Sequence, residues 1–193
     1  MQHKEGVSLR ADARRNRERI LDVALAELTR SPEVSLSEIA DKAGVGKGTF
    51  YRNFPNREAL VLEVYHYEVQ QVVDSASDLL KTREPDQALR EWMDHLARFI
   101  MAKTSLAGAM RQIASAPTGP ENNPGYAAMI AAMDLLLRAA EAAGTIRPGV
   151  TADDFRLAIG GLWQIDPRGD WKPQATRLLD FVMDGLRAGA PRR

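Results

Sequence analysis

The chain contains no cysteine. Disulfide scaffolding, thiolate metal clusters and a cysteine nucleophile are therefore excluded. No apolar run approaches the roughly 18 residues that a membrane-crossing helix needs. No apolar core follows the opening residues Met1-Gln-His-Lys-Glu either, so a leader peptide is not expected and a cytoplasmic protein with no membrane partner is. Net charge is missing too: 26 Lys and Arg balance 26 Asp and Glu in 193 residues. That argues against indiscriminate polyanion binding but leaves room for local patches. The period-two alternation that marks strands does not occur, nor do repeats or low-complexity tracts. Gly-x-Ser-x-Gly, a phosphate loop, a dinucleotide fingerprint and His-Glu-x-x-His are all absent. The paired carboxylates Asp153 and Asp154 follow Thr151 at the start of a helical pattern, where they suit the helix dipole. Asp166 and Asp170 have no evident partner. Catalysis, a cofactor and a bound metal are not expected.

What remains is an ordinary globular composition, 45% hydrophobic and 27% charged, with helical periodicity almost throughout. A first pattern runs from about Asp12 to Thr29, with Ile20, Val23, Ala24, Leu25 and Leu28 on one stripe, and Pro32 ends it. Ser35-Leu-Ser-Glu38 is a capping box opening a short helix that buries Leu36, Ile39, Ala40 and Ala43. Gly44-Val45-Gly46 interrupts. A second short helix, about Lys47 to Phe54, is stopped by Pro55, and Asn56 caps a long helix from Arg57 to about Leu80. Further patterns cover about 86–103, 105–115, 125–143, 152–164 and 174–188, with a loose loop at 116–125. The expected fold is all-α. A domain of residues 1–56 is followed by a second of residues 57–193.

Two short helices joined by a glycine-containing turn match the geometry that sets a second helix in the DNA major groove. At about 100° per residue, Phe50 and Phe54 lie about 40° apart and face inward. Lys47, Gly48, Thr49, Tyr51, Arg52 and Asn53 are left on the outer side. Arg52 can bond O6 and N7 of guanine bidentately. Tyr51, Thr49 and Asn53 offer donors to phosphates, and Gly48 removes a side chain where backbone and base edges would collide. Arg57 sits where helix-start amides and its own charge face an anion. Residues 1–60 carry 11 basic and 9 acidic side chains, and residues 42–57 four basic ones and no acid. Arg14, Arg15, Arg17 and Arg19 form a cluster upstream.

The stretch Leu36-Ser-Glu-Ile-Ala-Asp-Lys-Ala-Gly-Val-Gly-Lys-Gly-Thr-Phe-Tyr-Arg-Asn-Phe-Pro-Asn-Arg-Glu-Ala-Leu60, with Arg17-Glu-Arg-Ile-Leu-Asp-Val-Ala-Leu-Ala-Glu-Leu before it, resembles the DNA-binding domain of TetR-type transcriptional regulators. The resemblance covers roughly residues 14–65. It implies an all-helical homodimer in which a three-helix DNA-binding head joins a larger C-terminal domain that binds an effector and dimerises. By this resemblance Gly48, Thr49, Tyr51, Asn53 and Arg57 match positions that touch operator DNA; Ser35, Lys47 and Arg52 complete the expected interface. Asn53 stands where the family usually has histidine, and Arg57 where lysine is commoner.

Two heads related by a two-fold axis would read a palindrome, their recognition helices about 34–36 Å apart. About four phosphate contacts per head give an expected salt slope of roughly −5 to −8. The last two helical patterns are the candidates for the dimer interface, through Phe155, Ile159, Leu162, Leu178, Val182 and Leu186. Gly160-Gly161 signals either close helix approach, or a helix that kinks or ends early. A small apolar or amphipathic effector is expected among Trp92, Leu96, Phe99, Met110, Met129, Met133 and Trp163, with His95 and Tyr126 as polar anchors. The same residues would serve as plain core in a regulator, repressor or activator, that senses no small molecule. A closed apolar cavity of a few hundred Å³ in the C-terminal domain would favour the ligand-sensing reading, and a solid core the insensitive one.

Overall fold

The first helix, α1, spans Gln2–Arg30, starting well before the apolar stripe that predicts it. This is a computed structural model; it describes residues 2–105 and 124–191, with side chains described for residues 14–102 and 125–191. The patterns expected at 105–115 and in the loop after it lie outside the described residues. Then come α2 (Leu36–Lys42), α3 (Lys47–Asn53), α4 (Arg57–Thr82) and α5 (Pro85–Ser105). After the gap follow α6 (Pro124–Ala142), α7 (Ala152–Ala158), a 3-10 helix (Ile159–Gln164) and α8 (Trp171–Arg187). The fold is all-α.

Local signals set most of these boundaries. Ser35 Oγ accepts from the Glu38 amide at 3.1 Å, and the Glu38 carboxylate accepts from the Ser35 amide at 3.4 Å, which completes the capping box. Thr151 and Asp154 repeat the device at α7. The hydrogen bonds from the Thr151 hydroxyl and amide hold the Asp154 carboxyl below its ordinary value. Asn56 Oδ1 accepts from the Ala59 amide at 2.8 Å to open α4. Gly44 takes φ +64°, a left-handed turn that costs other residues strain, and Val45 beside it is buried in the junction. Besides the start of α1, two boundaries differ from the expected ones. Pro173 lies inside the first turn of α8, where its missing N–H has no helical acceptor to lose. The pattern predicted as one helix over 152–164 leaves α geometry at Ala158 and tightens into the 3-10 segment that carries Gly160 and Gly161. A Cβ at Gly161 would lie 3.2 Å from Leu178 Cδ2, so early helix end and close approach occur together.

The helices form two compact units. The first runs through Tyr67 and so takes in the start of α4 beyond residue 56. Its core joins Ile20, Leu21, Ala24 and Leu28 of α1 with Ile39 and Ala40 of α2, Phe50 and Phe54, and Leu60, Val61 and Val64 of α4. The second contains Glu68–Thr104 and the described residues from 124 on. Trp92, Leu89 and Met93 of α5, Leu136 and Leu137 of α6, Phe155 of α7 and Leu179 of α8 are buried there. Trp92 Nε1 donates to the Val72 carbonyl at 2.9 Å, which satisfies the indole in an apolar interior. Ion pairs Arg90–Asp180 (2.9 Å) and Arg187–Asp86 (2.8 Å) tie α5 to α8. No described helix is long and apolar enough to cross a membrane.

Candidate nucleic-acid interface and effector cavity

In the first unit, α3 is anchored from below. Phe50 and Phe54 are both 0% exposed, their ring centroids 5.5 Å apart. Truncating either to alanine would cost about 3–5 kcal/mol. With the rings inward, helical geometry turns Lys47, Gly48, Tyr51, Arg52 and Asn53 outward. All five are exposed, Tyr51 at 42%, and Thr49 is half-buried at the edge. Tyr51 leans edge-on against Phe50, so its orientation is set by the core while its hydroxyl is free to reach. Asn53 Nδ2 donates to the Thr49 carbonyl at 2.8 Å, which spends one of its two amide hydrogens within α3. A Cβ added to Gly48 would meet nothing within 4 Å, and its φ is not left-handed. Nothing inside the head requires glycine there.

The basic run 42–57 sorts into used and unused charge. Lys42 pairs with Glu27 at 2.8 Å, and that bond is the main cause holding the Glu27 carboxyl below its ordinary value. Arg57 turns inward, its Nη1 donating to the Val34 carbonyl at 2.7 Å and its Nη2 to the Pro32 carbonyl. It thereby pins the start of α4 to the turn between α1 and α2, where the sequence reading has it facing an anion. Upstream, Arg17 bonds Glu63 at 2.5 Å and stacks over the Phe54 ring, Arg14 pairs with Glu18, and Arg19 bonds Asn16. Ser35, also expected at the interface, gives its hydroxyl to the cap. Lys47 and Arg52 alone in the run make no ion pair or hydrogen bond with a described residue.

In the second unit the expected effector residues disperse. Trp92, Leu96 and Met133 are core; Tyr126 and Met129 are half-buried; Trp163 is 50% exposed on the 3-10 helix; Met110 lies outside the described residues. His95 and Phe99 do come together, in an open, partly polar pocket of about 310 Å³ between α4 and α5, which differs from the closed apolar cavity set as the mark of ligand sensing. Its other walls are Glu68, Gln71, Val72, Ser75 and Arg98, which the sequence reading did not single out. The signal for them was the i, i+3, i+4, i+7 spacing of 68, 71, 72 and 75 on one face of α4. Burial, and then the nearby Arg98 charge, lower the His95 pKa from its ordinary value. No cluster of three or more His, Cys, Asp or Glu that could hold a metal occurs among the described residues.

The expected dimer residues are placed differently from the expectation. Phe155, Ile159, Leu162, Val182 and Leu186 are buried within the unit. Leu178 is half-buried against Gly161. The large apolar side chains left outside on these elements are Leu157 (68% exposed), Trp163 and Phe181 (77%). An open groove of about 580 Å³ beside Phe181 is walled by Val150, Ala158 and Leu178 among others.

Comparison with known proteins agrees with this geometry. Residues 20–64 match the family described as bacterial regulatory proteins, tetR family, and residues 84–188 match the family described as transcriptional regulator SbtR-like, C-terminal domain. Among solved structures, a TetR transcriptional regulator from Streptomyces coelicolor is 38% identical with a TM-score of 0.78, the match covering 89% of this chain and 98% of that one. A TetR transcription regulatory protein from Mycobacterium vanbaalenii is 35% identical with a TM-score of 0.74, covering 93% and 99%. No curated protein matches the chain significantly.

Proposed function

The chain belongs to the TetR family of bacterial regulatory proteins, DNA-binding transcription factors rather than enzymes, and from that premise we propose that it is a ligand-responsive repressor reading a palindromic operator as a homodimer. The observation that carries the reading is α3. Its exposed side keeps Lys47 and Arg52 unpaired among the described residues, and keeps a glycine the head does not need, over two fully buried rings. Arg52 reads a base edge; Lys47, Tyr51, Thr49 and the free hydrogen of Asn53 meet phosphates. Arg57 acts from behind, holding α4 against the α1–α2 turn.

A dimer is supported by the uncovered apolar side chains Leu157, Trp163 and Phe181, which cost solubility in a monomer and stabilise an interface once covered. These replace the buried stripe as the contact surface. Control by a small molecule is supported by the α4–α5 cavity. α4 begins at the Arg57 tether and reaches the cavity wall at Glu68. A ligand that favours one setting of α4 would alter the separation of the two recognition helices. A coupling of about 1–3 kcal/mol changes operator affinity about 5- to 150-fold.

Selection of bound DNA from a random pool at low salt tests the reading. An enriched inverted repeat, with half-sites about one helical turn apart, is the expected result. A pool that fails to enrich would remove the regulator assignment to α3.

A further inference from the structure

The α4–α5 pocket is open to solvent, with a buried floor and a polar rim. Val72 and Phe99 are buried beneath, while Gln71 and Arg98 are exposed at the rim, with Glu68, Ser75 and His95 half-buried between. Ser75 Oγ donates to the Val72 carbonyl at 2.8 Å, so it offers a ligand an acceptor. The Arg98 guanidinium makes no ion pair or hydrogen bond with a described residue. Its fork matches a carboxylate bidentately. His95, half-buried beside it with its pKa lowered by burial and by that same charge, adds a ring N–H donor. Glu68 puts a carboxylate on the same wall. Arg98 is the one Lys or Arg among the residues lining the pocket, so it compensates a single negative charge, whereas a dianion such as a phosphate ester would keep one charge uncompensated. The volume, at the small end of ligand pockets, admits one ring or a short chain.

We infer that the effector is a small organic carboxylate, its charge held by Arg98 and His95 and its hydrocarbon body laid on Val72 and Phe99. This rests on the ligand-responsive reading above and narrows it to one chemical class.

The test is calorimetric titration of the full chain with phenylacetate and hexanoate, with their neutral amides, and with phenyl phosphate. At least one carboxylate binds, its amide binds about tenfold more weakly, and phenyl phosphate is weaker than the carboxylate. Arg98→Gln weakens the carboxylate about tenfold and leaves the amide unchanged, a charge-specific difference that a merely unfolded variant cannot produce. Three results overturn the inference: no carboxylate binding up to about 10 mM, a weak-binding limit; an amide or the phosphate binding as tightly; or an Arg98→Gln variant with undiminished carboxylate affinity. Operator affinity measured on the same protein, with and without the bound carboxylate, separates the two readings. Carboxylate binding without any change in operator affinity leaves the ligand class standing and removes ligand response. An enriched operator with no carboxylate bound removes the ligand class alone.

Discussion

Replacing Gly48 with alanine should make the protein more stable and a worse DNA binder. Glycine in a helix costs roughly 0.5–1 kcal/mol relative to alanine, mostly through unfolded-chain entropy. Gly48 lies in the first turn of α3, is exposed, has no left-handed φ and would place a Cβ in open space. Alanine therefore recovers the lower half of that range, about 0.5 kcal/mol, and a chain of this size gains about 1–2 °C in Tm. On DNA the same methyl stands between the helix and the duplex. If displacing one contact costs about 1 kcal/mol per head, a dimer loses about 2 kcal/mol, or roughly thirtyfold in Kd. Thermal melting and fluorescence anisotropy with the selected operator measure the two effects side by side. Gly44→Ala is the control, since φ +64° there makes alanine strained and the melting shift should reverse sign. An unchanged Kd for Gly48→Ala would mean that this side of α3 does not meet DNA. A lower Tm would mean that the head itself requires the glycine.

Other perturbations follow from the same geometry. Tyr51→Ala should weaken all DNA sequences alike, whereas Arg52→Ala should cost about 1–3 kcal/mol on the best site and relax one base-pair position; repeating the selection with each variant distinguishes them. Lys47 and Arg52 are the two cations of the run 42–57 that stay unpaired among the described residues, a dimer carries four of them, and replacing both by alanine should make the slope of log K against log salt shallower by about 4. Phe181→Lys should leave helicity intact and move the protein toward monomer in sedimentation, while Phe155→Ala, fully buried, should cost about 3–5 kcal/mol in chemical denaturation instead. His95 faces Arg98, Glu91 and Asp94 of its own helix, and Glu68 of α4 lines the same cavity. Because folding lowers its pKa, the unfolded chain binds the proton first, and stability present above pH about 6.5 is lost as pH falls below it. His95→Gln should flatten that part of the stability profile; an unaltered profile would show the imidazole to be freely solvated when folded.

Much of the head was legible in the sequence because its determinants are local. In the head the capping pair Ser35–Glu38 and the Asn56 cap act within one helical turn, as Thr151–Asp154 does in the second unit. The inward Phe50 and Phe54 follow from a four-residue spacing, and once they are buried the outward side of α3 is fixed by geometry alone. Tertiary structure decided which charges were left over. Lys42 meets Glu27, Arg17 meets Glu63, and Arg57 meets the carbonyls of Pro32 and Val34. None of these pairings is implied by a periodic pattern, so a basic run of four reduces to two free cations. The cavity is decided the same way, since Glu68–Ser75 and His95–Phe99 meet only because α4 and α5 pack side by side. Spacing along one helix fixes the angle of a side chain about its axis; what that side chain touches depends on where the next helix is laid.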